Sequence, residues 1–166
     1  MITKHSMKVW IPAAAVAVAL VGGGVAAASN THPEGAAAKR AGVTTFTVVE
    51  HAVSDTVVYV NKTHNDVIGN TLGFGNPLYN AKNSKKIGRD QGFCYRTNPG
   101  RSWECTWTNV LPDGRITVQG VFPDSLADSR LAVTGGTGAY RSAEGVMVLH
   151  SRNKLGTAFN FEFRLQ

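Results

Sequence analysis

The sequence predicts an all-β domain. From Val43 onward apolar residues recur with a period of two rather than 3.6, and the runs that carry this alternation are rich in β-branched and aromatic residues. Clusters of Gly, Pro, Asn and Asp separate the runs, and no window after residue 43 supports a long amphipathic helix. The chain has 166 residues, 43% hydrophobic and 17% charged, with 18 glycines, which suits one compact domain with many turns.

The first stretch has a different character. Lys4 and Lys8 form a positive front, and Ile11 to Ala28 (IPAAAVAVALVGGGVAAA) carries no charge and closes on small residues. This is the layout of a secretory signal, with an Ala-x-Ala site at Ala26 to Ala28. A membrane anchor is the rival, but Gly22 to Gly24 and the many alanines make a poor span. The expectation is therefore a secreted, extracellular protein that starts at Ser29, with no stable membrane insertion after cleavage. No cysteine follows the apolar run, which excludes a lipid-anchored lipoprotein. Residues 1–28 are read as signal peptide, 29–42 (from Asn30, NTHPEGAAAKRAG) as a flexible leader, and 43–166 as the β domain.

Removing the signal takes Lys4 and Lys8 with it and lowers the net charge from +6 to +4. The densest basic cluster, Lys82, Lys85, Lys86 and Arg89, reads as a solvated loop. No helical basic face or nucleic-acid motif accompanies it, so nucleic acid is not expected as a partner.

Strands are expected over Val43 to Glu50, Thr56 to Val60, Gly88 to Thr97, Ser102 to Leu111, Arg115 to Phe122, Arg130 to Thr134, Val146 to Ser151 and Thr157 to Leu165. The turns between the later strands are Asn98-Pro99-Gly100, Pro112-Asp113-Gly114, Gly135-Gly136-Thr137-Gly138 and Lys154-Leu155-Gly156. About eight short strands in one domain mean a sandwich or a barrel, and periodicity does not choose between them. In the last strand Phe159, Phe161 and Phe163 alternate with Asn160, Glu162 and Arg164, so one face is buried.

The middle hairpin can be registered from its turn. If Asn98 to Arg101 turns the chain, Thr97 faces Ser102, and counting outward sets Cys94 opposite Cys105. Directly opposed cysteines are close enough to bridge, and in an exported protein a disulfide is expected; two reduced, buried thiols are the alternative. Cys105 shares its face with Trp103 and Trp107. Matching this face to Ile116, Val118, Gly120 and Phe122 sets Trp107 beside Val118 and Trp103 beside Phe122, and leaves Gly114 free to take positive φ. The result is one aromatic wall of Trp103, Trp107 and Phe122 with Cys94 and Cys105. Such a wall is either filled core or, in a closed barrel of about eight strands, the lining of a small-ligand cavity.

Standard reaction motifs are missing. His51, His64 and His150 have no partner at metal-ligand spacing, and there is no HExxH, CxxC, G-x-S-x-G or Walker A, so neither metal nor nucleotide cofactor is expected. Asn61-Lys62-Thr63 is a glycosylation sequon by pattern only.

Several spaced segments carry a resemblance. Phe74-Gly75-Asn76-Pro77-Leu78-Tyr79 resembles the F-x-N-x-L-Y segment of plant allene oxide cyclases. The likeness continues in register through Lys86 to Cys94 (KIGRDQGFC), Ile116 to Gly120 (ITVQG), Leu131 to Tyr140 (LAVTGGTGAY) and Glu144-Gly145. The Gly-Arg-x-Gln-Gly and Gly-Gly-Thr-Gly-x-Tyr-Arg-x-Ala pieces are equally similar to dirigent proteins, which share the barrel fold. The resemblance implies an eight-stranded antiparallel calycin-like barrel, typically a homotrimer, with an apolar cavity. Allene oxide cyclases fold an unstable epoxide inside such a cavity and isomerise it, with aromatic walls against cationic character and a held water at the oxyanion.

By the same resemblance Asn76 matches the water-holding asparagine, Cys94 the cavity cysteine, and Phe122 a cavity tyrosine. The first strand departs from the pattern. In Phe46 to Ser54 (FTVVEHAVS) only Glu50 matches, at the second acid, while Thr47 and Val49 replace the first acid and the asparagine. Glu50 is thus either a catalytic acid or a strand-end surface charge, and Asn76 either a cavity ligand or a turn former. Gly135, Gly136 and Gly138 are read as a tight strand connection. The expected function is binding of an apolar small molecule and steering of its cyclisation or isomerisation. The alternatives are a non-catalytic dirigent-like or lipocalin-like binder, or a structural barrel whose interior is filled.

Overall fold

The computed structural model describes residues 43–166. The expected signal and leader lie outside the described residues. Ten strands follow in order: β1 Thr44–His51, β2 Thr56–Val58, β3 Thr71–Phe74, β4 Pro77–Asn80, β5 Lys86–Asn98, β6 Ser102–Leu111, β7 Gly114–Pro123, β8 Ser129–Gly138, β9 Gly145–Ser151 and β10 Ala158–Leu165. All pairings are antiparallel, and β1 closes the sheet on β10 from Thr44↔Leu165 to His51↔Ala158.

The ten strands occupy eight positions around a closed barrel. β5 is 13 residues long and takes two short strands along one edge, β4 through Leu78↔Gly88 and β3 through Leu72↔Cys94. β3 and β4 are therefore one barrel strand interrupted at Gly75-Asn76. β1 pairs with β4 and β2 with β3, so the segment Ala52–Asp55 joins two pieces of a second interrupted strand. The remaining strands form an up-and-down meander from β5 to β10.

Three expectations change here. Thr56 to Val60 does not occupy a position of its own but extends the first. The missing position is filled by β3 and β4, whose Gly, Asn and Pro hide the period of two. Gly135 to Gly138 is not a turn; Thr137 and Gly138 pair with Arg115 and Gly114 inside β8. Glycine is a poor strand former, but a Cβ at Gly136 would stand 2.3 Å from the Tyr140 carbonyl oxygen, and one at Gly138, with φ of 62°, would stand 2.4 Å from that of Asp113. These glycines let the β6–β7 turn and the chain after β8 press against the strand.

The hairpin registers agree with the sequence. Cys94 faces Cys105, Trp107 faces Val118 and Trp103 faces Phe122; only the last pair before the turn shifts, to Asn98↔Ser102, across a bulge. Pro99 and Gly100, with φ of 69° at the glycine, form a turn closed by the Arg101 N–H donating to the Asn98 carbonyl.

The interior divides along the barrel axis. Toward the Pro112-Asp113 turn, Phe46, Phe163, Met147, Leu131, Ile116 and Leu111 fill it, with Phe46 stacked on Phe163 at 4.9 Å. Toward the Asn98–Arg101 turn and the Ala52–Asp55 segment the filling is incomplete.

Candidate functional site

The incompletely filled half holds a cavity of about 50 Å³. That is well short of a drug-sized pocket, so a ligand enters as a slim ring or chain, or widens the walls. Five aromatic rings, Phe74, Trp107, Phe122, Phe159 and Phe161, supply most of the wall, with Leu72, Leu149 and the Cys94–Cys105 disulfide between them. The rings brace one another: Phe74 meets Trp107 edge-on at 5.9 Å, Trp107 tilts against Phe161 at 5.7 Å, and Phe122 meets Phe159 edge-on at 5.9 Å. The Trp107 Nε1–H is buried and has no hydrogen-bond partner among the described residues.

One end of this wall is polar. Glu50 is 5% exposed, because it shares the inward side of β1 with Phe46 and Val48 and is paired with Phe159 and Leu78. The surface-charge reading of Glu50 is thereby corrected. Asn76, 1% exposed in the gap between β3 and β4, ties the cluster together. Its Nδ2 donates to Glu50 Oε1 at 2.8 Å and to Asp55 Oδ1 at 2.9 Å. Its Oδ1 accepts from the Val53 and Ser54 N–H groups at 2.9 and 3.0 Å, which pins the Ala52–Asp55 segment. Its own N–H donates to Asp90 Oδ1 at 2.9 Å, and the Asp90 N–H donates back to its carbonyl at 2.9 Å. Asn76 is thus both a turn-region anchor and a cavity residue, so the two readings of it merge.

Three carboxyl groups surround Asn76: Glu50 and Asp55 at its side-chain amide and Asp90 at its backbone N–H. Burial raises the Glu50 carboxyl well above its ordinary range, and the adjacent Asp90 pushes it further. Asp90, fully buried on β5, is itself pushed up to about 6, chiefly by burial, against the opposing hydrogen bonds from Asn76 and from Glu50. Glu50 therefore keeps its proton to higher pH than an ordinary carboxyl and shares a hydrogen bond with Asp90. Among the described residues, Asp90 Oδ2 accepts from no amide, hydroxyl or amine group, and Asn109, paired with Asp90 across β5–β6, leaves its Oδ1 without a partner.

The structure brings Glu50, Asn76, Cys94, Trp107 and Phe122 around one cavity, but not Trp103. Trp103 is buried one step nearer the Asn98–Arg101 turn, where the Arg96 guanidinium covers its ring at 3.8 Å. Arg96 also pairs with Asp66 at 2.6 Å and Asp124 at 2.7 Å, which ties two loops over that end of the barrel. Cys94 lines the cavity as half of a disulfide rather than as a thiol. Sequence reasoning missed Asp90 and Asp55. The first had a signal: Asp90 has the parity of Gly92 and Cys94 on an inward face. The second sits in an irregular segment with none.

The family model described as Dirigent-like protein matches residues 36–165. No curated protein matches the sequence. Among solved structures, the fold is similar to that of a pyocyanin demethylase, with 25% identity and a TM-score of 0.63 over 74% of this chain and 100% of that one. It is also similar to a pterocarpan synthase dirigent protein, with 18% identity and a TM-score of 0.56 over 74% and 82% of the two chains. The Diels–Alderase AbmU from Streptomyces koyangensis has 15% identity and a TM-score of 0.56 over 78% and 72%. The last two likenesses concern the fold alone.

Proposed function

Because the chain belongs to the dirigent-like family, we propose that its barrel binds a small, largely apolar molecule and steers its isomerisation or cyclisation by acid assistance from Glu50. The observation that carries this reading is a buried carboxyl group set at the end of an aromatic cavity, where burial and the adjacent Asp90 raise it well above the ordinary carboxyl range. A carboxyl kept protonated near neutral pH is a proton donor matched to work at that pH. Glu50 donates its proton to an oxygen of the ligand, and the resulting carboxylate keeps its hydrogen bond from Asn76 Nδ2. Positive charge that develops on carbon lies against the faces of Trp107 and Phe161. Ring closure or rearrangement within the ligand releases a proton, which returns to the Glu50–Asp90 pair. The enzyme is then an isomerase or cyclase whose specificity lies in the shape of the cavity. The allene oxide cyclase likeness extends to Asn76 and Glu50 but not to the first acid, so the acid partner in this chain is Asp90. Export behind residues 1–28 and assembly as a homotrimer complete the reading.

An aryl epoxide such as styrene oxide tests it. We expect opening or rearrangement above the buffer rate, and Glu50→Gln to lower that rate about 100-fold or more while Trp107 fluorescence quenching by toluene is retained. Equal rates for the two proteins, with toluene binding intact, would leave a non-catalytic binding barrel. Absence of any binding would leave a structural one.

A further inference from the structure

The cavity also constrains the charge of what it takes. Glu50 and Asp55 line it, and Asp90 stands directly behind Asn76. Among the described residues, none of the lining side chains is Lys, Arg or His, although the whole chain carries a net charge of +6. The buried cation nearest this end, Arg96, is held by Asp66 and Asp124 on the far side of Trp103 and offers nothing to the cavity. An anionic ligand would therefore be desolvated beside carboxyl groups without a counter-charge. A cationic ring would instead meet aromatic faces and the Asp55 carboxylate together.

We propose that the cavity selects an aromatic ligand bearing positive charge, such as an N-alkylated or protonated nitrogen heterocycle, over neutral rings of the same shape and excludes carboxylic acids. This rests on the cavity reading above and goes further by naming the ligand class. Five aromatic rings form the box, and Asp55, exposed at its mouth, is the anion a cation meets first. Asn76 holds Asp55 in place through Nδ2 at 2.9 Å, so the charge is fixed rather than carried on a free loop.

Three probes of one shape separate the possibilities: N-methylpyridinium, toluene and benzoate, titrated into the disulfide-bonded protein and followed by the indole N–H resonances of its tryptophans. N-methylpyridinium is expected to saturate at a concentration at least five-fold below toluene, and benzoate not to saturate. Asp55→Asn, which preserves an acceptor for Asn76, is expected to weaken N-methylpyridinium about three- to five-fold and to leave toluene unchanged, about 0.6–1 kcal/mol of charge-dependent binding. Toluene binding as tightly as the cation, or benzoate binding tightest, would overturn the charge selection and leave the cavity reading intact. Failure of all three probes to saturate would overturn both.

Discussion

The buried carboxyl pair makes stability depend on pH in an unusual direction. An ordinary salt-bridged carboxylate has a depressed pKa and stabilises the fold as pH rises. Glu50 and Asp90 are both displaced upward by burial, so the folded chain holds their protons more tightly than the unfolded chain. Below about pH 4 both states are protonated and nothing is lost. As pH rises from there toward 6 the unfolded state gives up protons that the folded state keeps, so stability falls; above the folded midpoint the loss is complete. For Asp90 the displacement runs from 3.8 to about 6, and at about 1.4 kcal/mol for each pH unit this amounts to about 3 kcal/mol. Glu50 acts in the same direction.

Asp90→Asn removes that term while keeping an oxygen for the Asn76 N–H. Urea unfolding of both proteins from pH 4 to 8 measures the effect. The variant should match the parent near pH 4 and exceed it by about 3 kcal/mol at pH 7, a midpoint shift of about 1.5–2 M urea for a domain of this size. Carboxylates remote from the pair cancel in the difference between the two profiles, and Glu50, which Asp90 raises, is relieved in the variant and adds in the same direction. Parallel profiles from pH 4 to 8, or a variant less stable than its parent at pH 7, would refute the reasoning: Asp90 would then be ionised at no cost, and the shared proton on Glu50 would lose its basis.

Other consequences follow from particular contacts. Replacing Cys94 and Cys105 together by alanine should cost about 3 kcal/mol in urea unfolding, because the bridge closes a short loop with a sequence separation of 11. Gly136→Ala should cost about 2–3 kcal/mol or prevent folding, since its Cβ would stand 2.3 Å from the Tyr140 carbonyl oxygen; Gly73→Ala, with nothing within 4 Å, should leave the melting temperature unchanged. Intact mass of protein recovered from culture medium should correspond to a chain beginning at Ser29, and a full-length chain retained in cells would overturn the signal reading.

Much of the barrel was legible because its middle strands obey two simple rules. Between Lys86 and Pro123 each strand alternates cleanly and each turn carries its own glycine or proline, so counting outward from Asn98–Arg101 and Pro112-Asp113 placed Cys94 on Cys105 and Trp107 on Val118. The rules fail where a strand is interrupted. Thr71 to Asn80 carries Gly73, Gly75, Asn76 and Pro77, which reads as loop until the long β5 supplies partners on both sides of the break. The same break makes the site. A continuous strand would satisfy its backbone with its neighbours; the gap lets the Asn76 backbone pair with Asp90 and turns its amide toward Glu50 and Asp55. Glu50 was legible by parity, as the third inward residue after Phe46 and Val48, but an acid in that sequence also suits a strand end. Its burial depends on Phe159 and Leu78, which are distant in the chain.

Why a small barrel keeps a carboxyl pair at the edge of its core is a question of energy. Replacing Glu50 and Asp90 by apolar residues would remove a term of several kcal/mol that opposes folding near neutral pH, and the aromatic wall beside them could be extended by one more phenylalanine. β5, the strand that holds Asp90, is instead cross-linked to β6 by a disulfide contributing about 3 kcal/mol, comparable to the term for Asp90 alone. Arg96 further ties the Asp66 and Asp124 loops to the same end of the barrel. Reinforcement therefore concentrates in the half with the cavity, while the other half relies on ordinary packing of Phe46, Phe163 and Met147. A structural barrel has no use for that asymmetry. The role proposed for Glu50 beside an open aromatic slot accounts for it, because the walls of the slot have neither a filled core nor compatible polar partners to keep them in place.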